Sequence, residues 1–351
     1  MKLIEALEIL KKAPPEPAPP LNVRLVCGFT PLHLQTFLHA HLRLQFPDRK
    51  IELQTGLYGD FAGNAERVDD AGIDAAAAAL EWPDLDPRLG IRQLGGWGPK
   101  ELPDILNGVE ARLERLRAAI TRGEAAGAPV LVFSLPTLPL PPLAITAGWQ
   151  ASQFDLELRE KLAGFAAWAA KRQNVRMVSV ERLDQLSPAP ERLDVRSDLL
   201  TGFPYKLGHA GALAQLLASL IRNPIPKKGL ITDLDDTLWS GLLGEVGIDG
   251  IAWDLDHGAQ IHGIYQQFLR ALAEEGVLIG AASKNDPAVV EEAFHKAAPL
   301  LPLERIFPLE VHWSRKSESV TRILQAWNVG ADSVVFVDDS AMEIADVKRT
   351  H

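Results

Sequence analysis

The stretch from Lys227 to Trp239 reads Lys-Lys-Gly-Leu-Ile-Thr-Asp-Leu-Asp-Asp-Thr-Leu-Trp, and it determines how the last third of the chain folds. Gly229 to Thr232 is a short apolar run that predicts a buried strand, and two acids, Asp233 and Asp235, follow it. Because side chains two residues apart project to the same side of an extended backbone, both carboxylates can reach one site. With Mg²⁺ between them, one can stay ionised as a nucleophile while the other gives and takes a proton. The alternative is a solvated acidic turn.

Two further segments add groups suited to phosphate chemistry. A second buried strand is predicted from Gly276 to Ala282, and it ends at Ser283, whose hydroxyl can hold a phosphoryl oxygen. Lys316 follows later in the chain, and its cation is suited to neutralising the nucleophile and the transferring phosphoryl group. A serine at a strand end or a lysine on the surface is common in proteins and does not by itself indicate a site. The order in which these residues occur along the chain is what favours a functional site.

A third predicted strand, Ser333 to Val337, ends in two more acids, Asp338 and Asp339. These acids can complete an oxygen shell for Mg²⁺ together with Asp233 and the backbone carbonyl of Asp235. In open α/β sheets, ligands bind outside the C-terminal ends of the strands. The sequence therefore predicts one magnesium and phosphate site at that edge of a sheet.

These segments resemble the motifs of the haloacid-dehalogenase (HAD) phosphotransferases and, more closely, those of the FkbH-like family. The closer resemblance is carried by Asp-Leu-Asp-Asp-Thr-Leu-Trp-Ser-Gly-Leu-Leu-Gly-Glu from Asp233, Ala-Ser-Lys-Asn-Asp from Ala282, Trp-Ser-Arg-Lys-Ser-Glu from Trp313 and Phe-Val-Asp-Asp-Ser-Ala-Met-Glu from Phe336. That family joins a HAD domain to an N-terminal domain resembling SGNH hydrolases. The resemblance implies an α/β protein with two doubly wound parallel-sheet domains, SGNH/flavodoxin-like and then HAD Rossmann-like. The expected ranges are an N-terminal helix and proline-rich tether at 1–20, the SGNH-like domain at 21–223 and the HAD-like catalytic domain at 227–351.

The resemblance also implies a reaction. The best understood members take a glyceryl unit from 1,3-bisphosphoglycerate, remove phosphate and load the acid onto an acyl carrier protein for polyketide-type pathways. On this reading Asp233 attacks phosphorus, and Asp235 protonates the leaving group and then activates water. Lys284 and Asn285 follow Ser283 at the mouth of the expected pocket, where they can bind a carboxylate or a phosphate. Mg²⁺ is the expected cofactor, and the expected partners are a phosphorylated small molecule and an acyl carrier protein.

One position departs from the family. Thioester-forming members offer a cysteine just before the Ser-Lys-Asn-Asp run, and here that residue is Ala282. The single cysteine, Cys27, lies in the other predicted domain. Either the glyceryl unit passes directly to the thiol of the carrier, or the protein has another function. The alternatives are a small-molecule phosphatase and a non-catalytic scaffold that docks a carrier protein, although paired acids argue against a scaffold.

The N-terminal half predicts a second α/β domain. Between Val23 and Ile221, strand-length apolar runs alternate with helical patterns, which predicts a parallel sheet with helices on both faces. A fifth strand is predicted from Val175 to Val180, and the alanine run Ala75 to Ala79 fits either a strand or a helix. Beyond this half, one buried helix face is predicted from the helical spacing of Ile261, Ile264, Tyr265, Phe268 and Leu272.

The N-terminal domain lacks the residues of an SGNH hydrolase. Where that fold places Gly-Asp-Ser, this chain has Gly28-Phe29-Thr30, and where it places Asp-x-x-His, this chain has Lys206-Leu-Gly-His209. A histidine without an orienting carboxylate is a weaker base, and threonine is a hindered nucleophile. We therefore expect Thr30 and His209 to have a structural or binding role in the N-terminal cleft.

Bulk properties narrow the partners and the compartment. The chain has 351 residues, enough for two cores, and a net charge of -10, which argues against nucleic acid but not against a phosphorylated substrate. Cys27 as the sole cysteine rules out an internal disulfide, and no apolar run reaches the ~18 residues of a membrane span. We expect a cytoplasmic protein. The sequence ends at His351, barely a helix beyond Asp339, so the resemblance implies a minimal HAD domain or a missing C-terminal piece.

Overall fold

The structure, a computed structural model, describes residues 1–13, 17–68, 70, 72–93, 100–125, 127, 130–140, 153–222 and 226–351. The chain divides into two compact units, Met1–Asn223 (unit 1) and Pro224–His351 (unit 2). Positions 14–16 of the predicted tether and 223–225, where the predicted domains meet, lie outside the described residues. Among the described residues, no helix is long and apolar enough to cross a membrane.

Unit 1 is built on a sheet of five parallel strands in the order β2-β1-β3-β4-β5. Its strands are β1 (Pro20–Val26), β2 (Lys50–Thr55), β3 (Ala75–Ala79), β4 (Val130–Ser134) and β5 (Val175–Met177). Its described α-helices are α1 (Leu3–Lys11), α2 (Leu32–Gln45), α3 (Phe61–Ala65), α4 (Trp82–Leu85), α5 (Leu102–Ala125), α6 (Gln153–Ala169), α7 (Val180–Leu186), α8 (Val195–Thr201) and α9 (Leu207–Ile221).

Different helices bury the two faces of the unit 1 sheet. Phe37 of α2 and Leu213 of α9 belong to the core on one face, while Leu113 of α5 and Phe165 of α6 belong to the core on the other. The alanines of β3 alternate between these two cores, and all five are buried. Alanine has little preference for strands, so the pairing of β3 with β1 and β4 overrides its local tendency. Of the two alternatives for the alanine run, the structure has the strand.

Unit 2 is a second parallel sheet, in the order β8-β7-β6-β9. Its strands are β6 (Gly229–Thr232), β7 (Leu278–Ser283), β8 (Leu309–Val311) and β9 (Val334–Val337). Its α-helices are α10 (Leu243–Val246), α11 (Gln260–Glu274), α12 (Pro287–Ala297), α13 (Lys316–Trp327) and α14 (Ala341–Thr350). The prediction of an α/β fold with two doubly wound parallel sheets is confirmed.

The two faces of the central strand β6 also pack into separate cores. Leu230 packs with residues of α11 and α12, and Ile231 packs with residues of α13 and α14. On the α13 side, the ring of Trp327 packs against two glycines. A Cβ on Gly229 would come within 2.5 Å of that ring, and one on Gly280 within 2.9 Å. Both strands therefore need a residue without a side chain here.

The buried face predicted for α11 is wrong in three of its five positions. Tyr265 and Leu272 pack against the core, but the predicted core residues that remain exposed are Ile261 (68%), Ile264 (52%) and Phe268 (53%). The helix instead turns Gln266 inward, where its amide donates to Leu238 O at 2.8 Å and accepts from Leu300 N at 2.7 Å. These two hydrogen bonds satisfy the buried amide and favour the rotation that turns Gln266 inward.

The fifth strand is shorter than predicted. It ends at Met177, and Val180 begins α7. The cause is Ser179, whose hydroxyl accepts from Arg182 N and caps that helix.

Candidate functional site

The loop after β6 is tightly held, which fixes the two acids it carries. Asp233 N donates to Val337 O at 2.9 Å, so its backbone continues the pairing of β6 with β9. Leu234 O accepts from Leu238 N at 2.7 Å, and Asp236 takes a left-handed conformation (φ +49°). The sharp turn that results brings Asp233 and Asp235 to the C-terminal end of the sheet.

Asp233, Lys316 and Asp338 form a buried ionic cluster. Lys316 Nζ lies 2.8 Å from Asp233 Oδ2 and 2.6 Å from Asp338 Oδ2, and all three side chains are less than a tenth exposed. Lys316 is the first residue of α13, where the helix dipole disfavours a cation, so the two carboxylates are what stabilise its charge.

Burial and charge act in opposite directions on this cluster. Burial raises the pKa of Asp233 above its ordinary value, although the neighbouring Lys316 opposes the shift. Burial works against the charge of Lys316, but Asp233 and Asp338 outweigh it and raise the pKa of the lysine. Lys316 is therefore a permanent cation beside the nucleophile that the sequence predicts.

Asp233, Asp338 and Asp339 each offer a carboxylate oxygen, and these oxygens lie within 4.8 Å of one another. Oxygens around an octahedral Mg²⁺, at ~2.1 Å from the ion, are about 3 to 4.2 Å apart, so a small closure of these side chains fits the ion. Asp338 Oδ1 accepts from Ser340 N at 2.9 Å, and Asp339 N donates to Thr237 Oγ1 at 3.2 Å. The donor set is all oxygen, which suits a hard cation.

Asp235 is oriented from both sides. Trp239 Nε1 donates to its Oδ1 at 3.0 Å, and Asn285 Nδ2 donates to its Oδ2 at 2.9 Å. Asn285 also donates to Ser283 Oγ at 3.2 Å, which leaves the hydroxyl hydrogen of the serine for another acceptor. Asp235, Ser283 and Asn285 thus form one connected group across β6 and β7.

Lys284 points to a different neighbour. Its Nζ lies 2.5 Å from Glu343 Oε1 on α14, and its side chain is 36% exposed. Its assignment to substrate binding stays a prediction.

The structure does not join Thr30 to His209. Thr30 Oγ1 donates to Thr201 O at 2.9 Å. His209 is buried, with Thr137 Oγ1 2.9 Å from its Nε2 and Ser187 Oγ 3.0 Å from its Nδ1, and burial lowers its pKa to about 3. Within the described part of unit 1, no hydrogen bond links the two residues. Burial between two hydroxyls keeps this histidine neutral, and the structural or binding role expected for Thr30 and His209 stays a prediction.

Several groups were not singled out from the sequence as site residues. Thr237 and Trp239 orient the acids of unit 2, and the only local signal for them is their place in the loop after β6. In unit 1, Glu81 and Asp84 follow β3, and burial raises the pKa of Glu81 to about 7 and that of Asp84 to about 8. Two acids within the five residues that follow a buried strand are the signal that could have found them.

Comparison with known proteins gives a likeness in fold. No model of a known protein family matches the chain, and no curated protein sequence matches it. The whole chain is similar to the crystal structure of the N-terminal part of the protein BF1531 from Bacteroides fragilis, which contains a phosphatase domain and was complexed with Mg. The TM-score is 0.76 at 19% identity, over 100% of this chain and 92% of that chain.

A second solved structure is similar over a smaller part. Salicylyl-acyltransferase SsfX3 from a tetracycline biosynthetic pathway covers 59% of this chain, and 54% of that chain is covered, at 14% identity. Its TM-score of 0.32 is too low to support an argument. The likeness to the Bacteroides fragilis structure shows a shared fold.

Proposed function

We propose that unit 2 is a Mg²⁺-dependent phosphatase-type site of the HAD kind. The observation that carries the proposal is the cluster in which Lys316 bridges Asp233 and Asp338, with Asp339 close enough to share a cation. Phosphoryl transfer needs a nucleophile, a fixed cation beside the phosphoryl oxygens and a proton donor, and Asp233, Lys316 and the neighbouring Asp235 are suited to these three roles. The Mg complex of the similar Bacteroides fragilis protein supports the choice of ion.

In the proposed reaction, each of these residues has a distinct role. Asp233 attacks phosphorus while the bond to the leaving oxygen breaks, and Asp235 gives that oxygen a proton. Asp235 then takes a proton from the water that releases phosphate from Asp233. Ser283 and Lys316 hold the phosphoryl oxygens. Asp233, Asp338 and Asp339 would hold Mg²⁺, which would supply positive charge against the phosphoryl group.

At a finer level, the proposed substrate is 1,3-bisphosphoglycerate, with an acyl carrier protein as acceptor. Loading an unphosphorylated glyceryl unit from 1,3-bisphosphoglycerate onto a thiol requires both phosphates to leave. Attack of the thiol on the acyl carbon displaces the acyl phosphate, and the phosphate ester is removed by phosphoryl transfer to Asp233. The proposal therefore assigns Asp233 to the ester phosphate.

The thiol in this proposal belongs to the carrier protein. Cys27 is only 5% exposed, and burial raises its pKa far above the ordinary value, so it stays protonated and unreactive. A Cys27→Ser variant should therefore load a carrier as well as the native protein does.

The test measures release of phosphate from acetyl phosphate by the full chain with Mg²⁺. Asp233→Asn keeps the volume of the side chain and removes the nucleophile, so we expect turnover to fall to background. Asp249→Asn, on an exposed acid of the same unit, is the matched control and should keep full activity. Native turnover in Asp233→Asn would refute the site.

The finer proposal has its own test, by mass spectrometry of a carrier protein incubated with the enzyme, Mg²⁺ and 1,3-bisphosphoglycerate. The expected product is a carrier heavier by one glyceryl unit. Phosphate release without any change in the carrier would instead identify a small-molecule phosphatase.

A further inference from the structure

A cavity of about 690 Å³ lies in unit 1, at the C-terminal ends of its strands. Its lining includes Phe29 after β1, Tyr58 after β2, and Trp82 and Asp84 after β3. This is the edge at which open α/β sheets bind ligands, and the volume is in the range of small-molecule sites. The function proposed for unit 2 makes no use of it.

Glu81 also lines this cavity, and its carboxylate is fully engaged. It accepts from Thr137 Oγ1 at 2.6 Å, Tyr205 OH at 2.8 Å, and the backbone N–H groups of Thr137 and Leu138 at 3.2 Å. These bonds tie together loops that follow β3 and β4 with the segment before α9. Glu81 therefore has a structural role, because both of its carboxylate oxygens already accept hydrogen bonds from the protein.

Asp84 has one engaged oxygen and one that meets the cavity. Its Oδ2 accepts from Glu81 N at 2.9 Å. Its Oδ1 occupies the space beside Gly28, where a Cβ would lie only 1.8 Å away, and among the described residues no donor bonds to it. Burial raises the pKa of Asp84, Glu81 adds to the rise, and Arg112 opposes it weakly. The carboxyl group therefore lacks a counter-charge.

The remaining lining favours a cation. Aromatic rings of Phe29, Tyr58 and Trp82 border the cavity, and ring faces attract ammonium groups. The other two charged side chains of the lining, Arg92 and Asp198, lie 3.7 Å apart and offset each other. Asp84 is thus the carboxyl group left for a ligand, and a bound cation would favour its ionised form over the neutral form that burial favours.

We propose that this cavity binds an organic cation, an amine or ammonium group on an apolar body, with Asp84 Oδ1 as its counter-ion. The ammonium group donates to Asp84, and the apolar body packs against the aromatic rings. Gly28 is required because any side chain there would displace the carboxyl group.

The experiment titrates the full chain with three probes of similar shape: phenethylamine, 2-phenylethanol and 3-phenylpropionate. Binding is measured by calorimetry and by saturation-transfer NMR. A hydrogen bond to a charged group is worth enough for at least a roughly tenfold difference in affinity. We expect the amine to bind at least tenfold more tightly than the alcohol, and the carboxylate not to bind.

Two variants and a control locate the site. Asp84→Asn still accepts from Glu81 N, so it should fold, and it should reduce amine affinity to that of the alcohol. Gly28→Ala should also weaken binding of the amine, because the added methyl group would displace the carboxyl group of Asp84. Asp48→Asn changes an exposed acid outside the cavity and should bind like the native protein. Equal binding of amine and alcohol, unchanged binding in Asp84→Asn, or no saturable binding of the amine would each overturn the proposal.

Discussion

Replacing Lys316 with methionine tests whether the cluster in unit 2 is held together by its lysine. Lys316→Met keeps most of the side-chain volume and removes the charge that lies between Asp233 and Asp338. The side chains of these acids are 7% and 0% exposed, so the change leaves two carboxylates facing each other out of contact with bulk water.

The expected loss is large. Removing one partner of a buried ion pair lowers the free energy of unfolding by ~3–5 kcal/mol. One of the two carboxylates can take up a proton and so reduce the repulsion, and we therefore expect a loss at the lower end, about 3 kcal/mol. For a unit of this size that corresponds to a fall in Tm on the order of 10 °C. Added MgCl₂ should restore much of it, because a divalent cation bound only to the folded state takes over the role of the lysine.

Differential scanning calorimetry with and without MgCl₂ measures both effects. Lys296→Met is the matched control, because Lys296 also pairs with a glutamate, Glu292, at 2.5 Å, but both side chains are exposed, 65% and 49%. An exposed pair contributes about 0–1 kcal/mol, so this variant should melt within a few degrees of the native protein. If Lys316→Met melts with the native protein, or if Mg²⁺ stabilises the two equally, the lysine is not the internal counter-ion.

Three other expectations concern the metal, the pH dependence of stability and the N-terminal cleft. Asp339→Ala should lose phosphatase activity at low Mg²⁺ and regain part of it at high Mg²⁺, in a magnesium titration, because two carboxylates of the group remain. Glu81→Gln should flatten the pH profile of stability. Burial raises the pKa of Glu81 from 4.5 to about 7, so between these pH values the native protein binds a proton that the unfolded chain releases. The free energy of unfolding of the native protein therefore falls by up to ~3 kcal/mol as the pH rises from about 4.5 to 7. Denaturant titrations across that range measure the fall. The native protein should show no esterase activity on short acyl esters, and Thr30→Ala should be indistinguishable from it, so turnover abolished by that change would contradict the structural role of Thr30.

The parts of the fold that the sequence predicts well depend on local signals. Gly229–Thr232 is a strand with the predicted bounds, because an apolar run ending in acids has few other solutions. The proximity of Asp233 to Asp338 and Asp339 follows from a second rule, that the C-terminal ends of parallel strands lie at one edge of the sheet.

Long-range contacts account for what could not be predicted. Helical spacing places Phe268 and Leu272 on similar faces of α11, but only the positions of Leu238 O and Leu300 N explain why Gln266 is buried. Glu81 bonds to residues 56 and 124 positions away, and no pattern of period two or 3.6 reports such a pairing. Buried polar contacts of this kind are specified by the whole fold.

The packing of Trp327 against two glycines has a consequence for how this protein can diverge. A side chain at 229 or 280 needs a smaller residue at 327, and a smaller residue at 327 with both glycines kept loses the contacts of the indole with β6 and β7. Neither single step is neutral, so the three positions form a unit that changes together or not at all. In descendants of this chain, we expect the glycine pair and the tryptophan to be inherited as one trait, even where the surrounding surface varies freely.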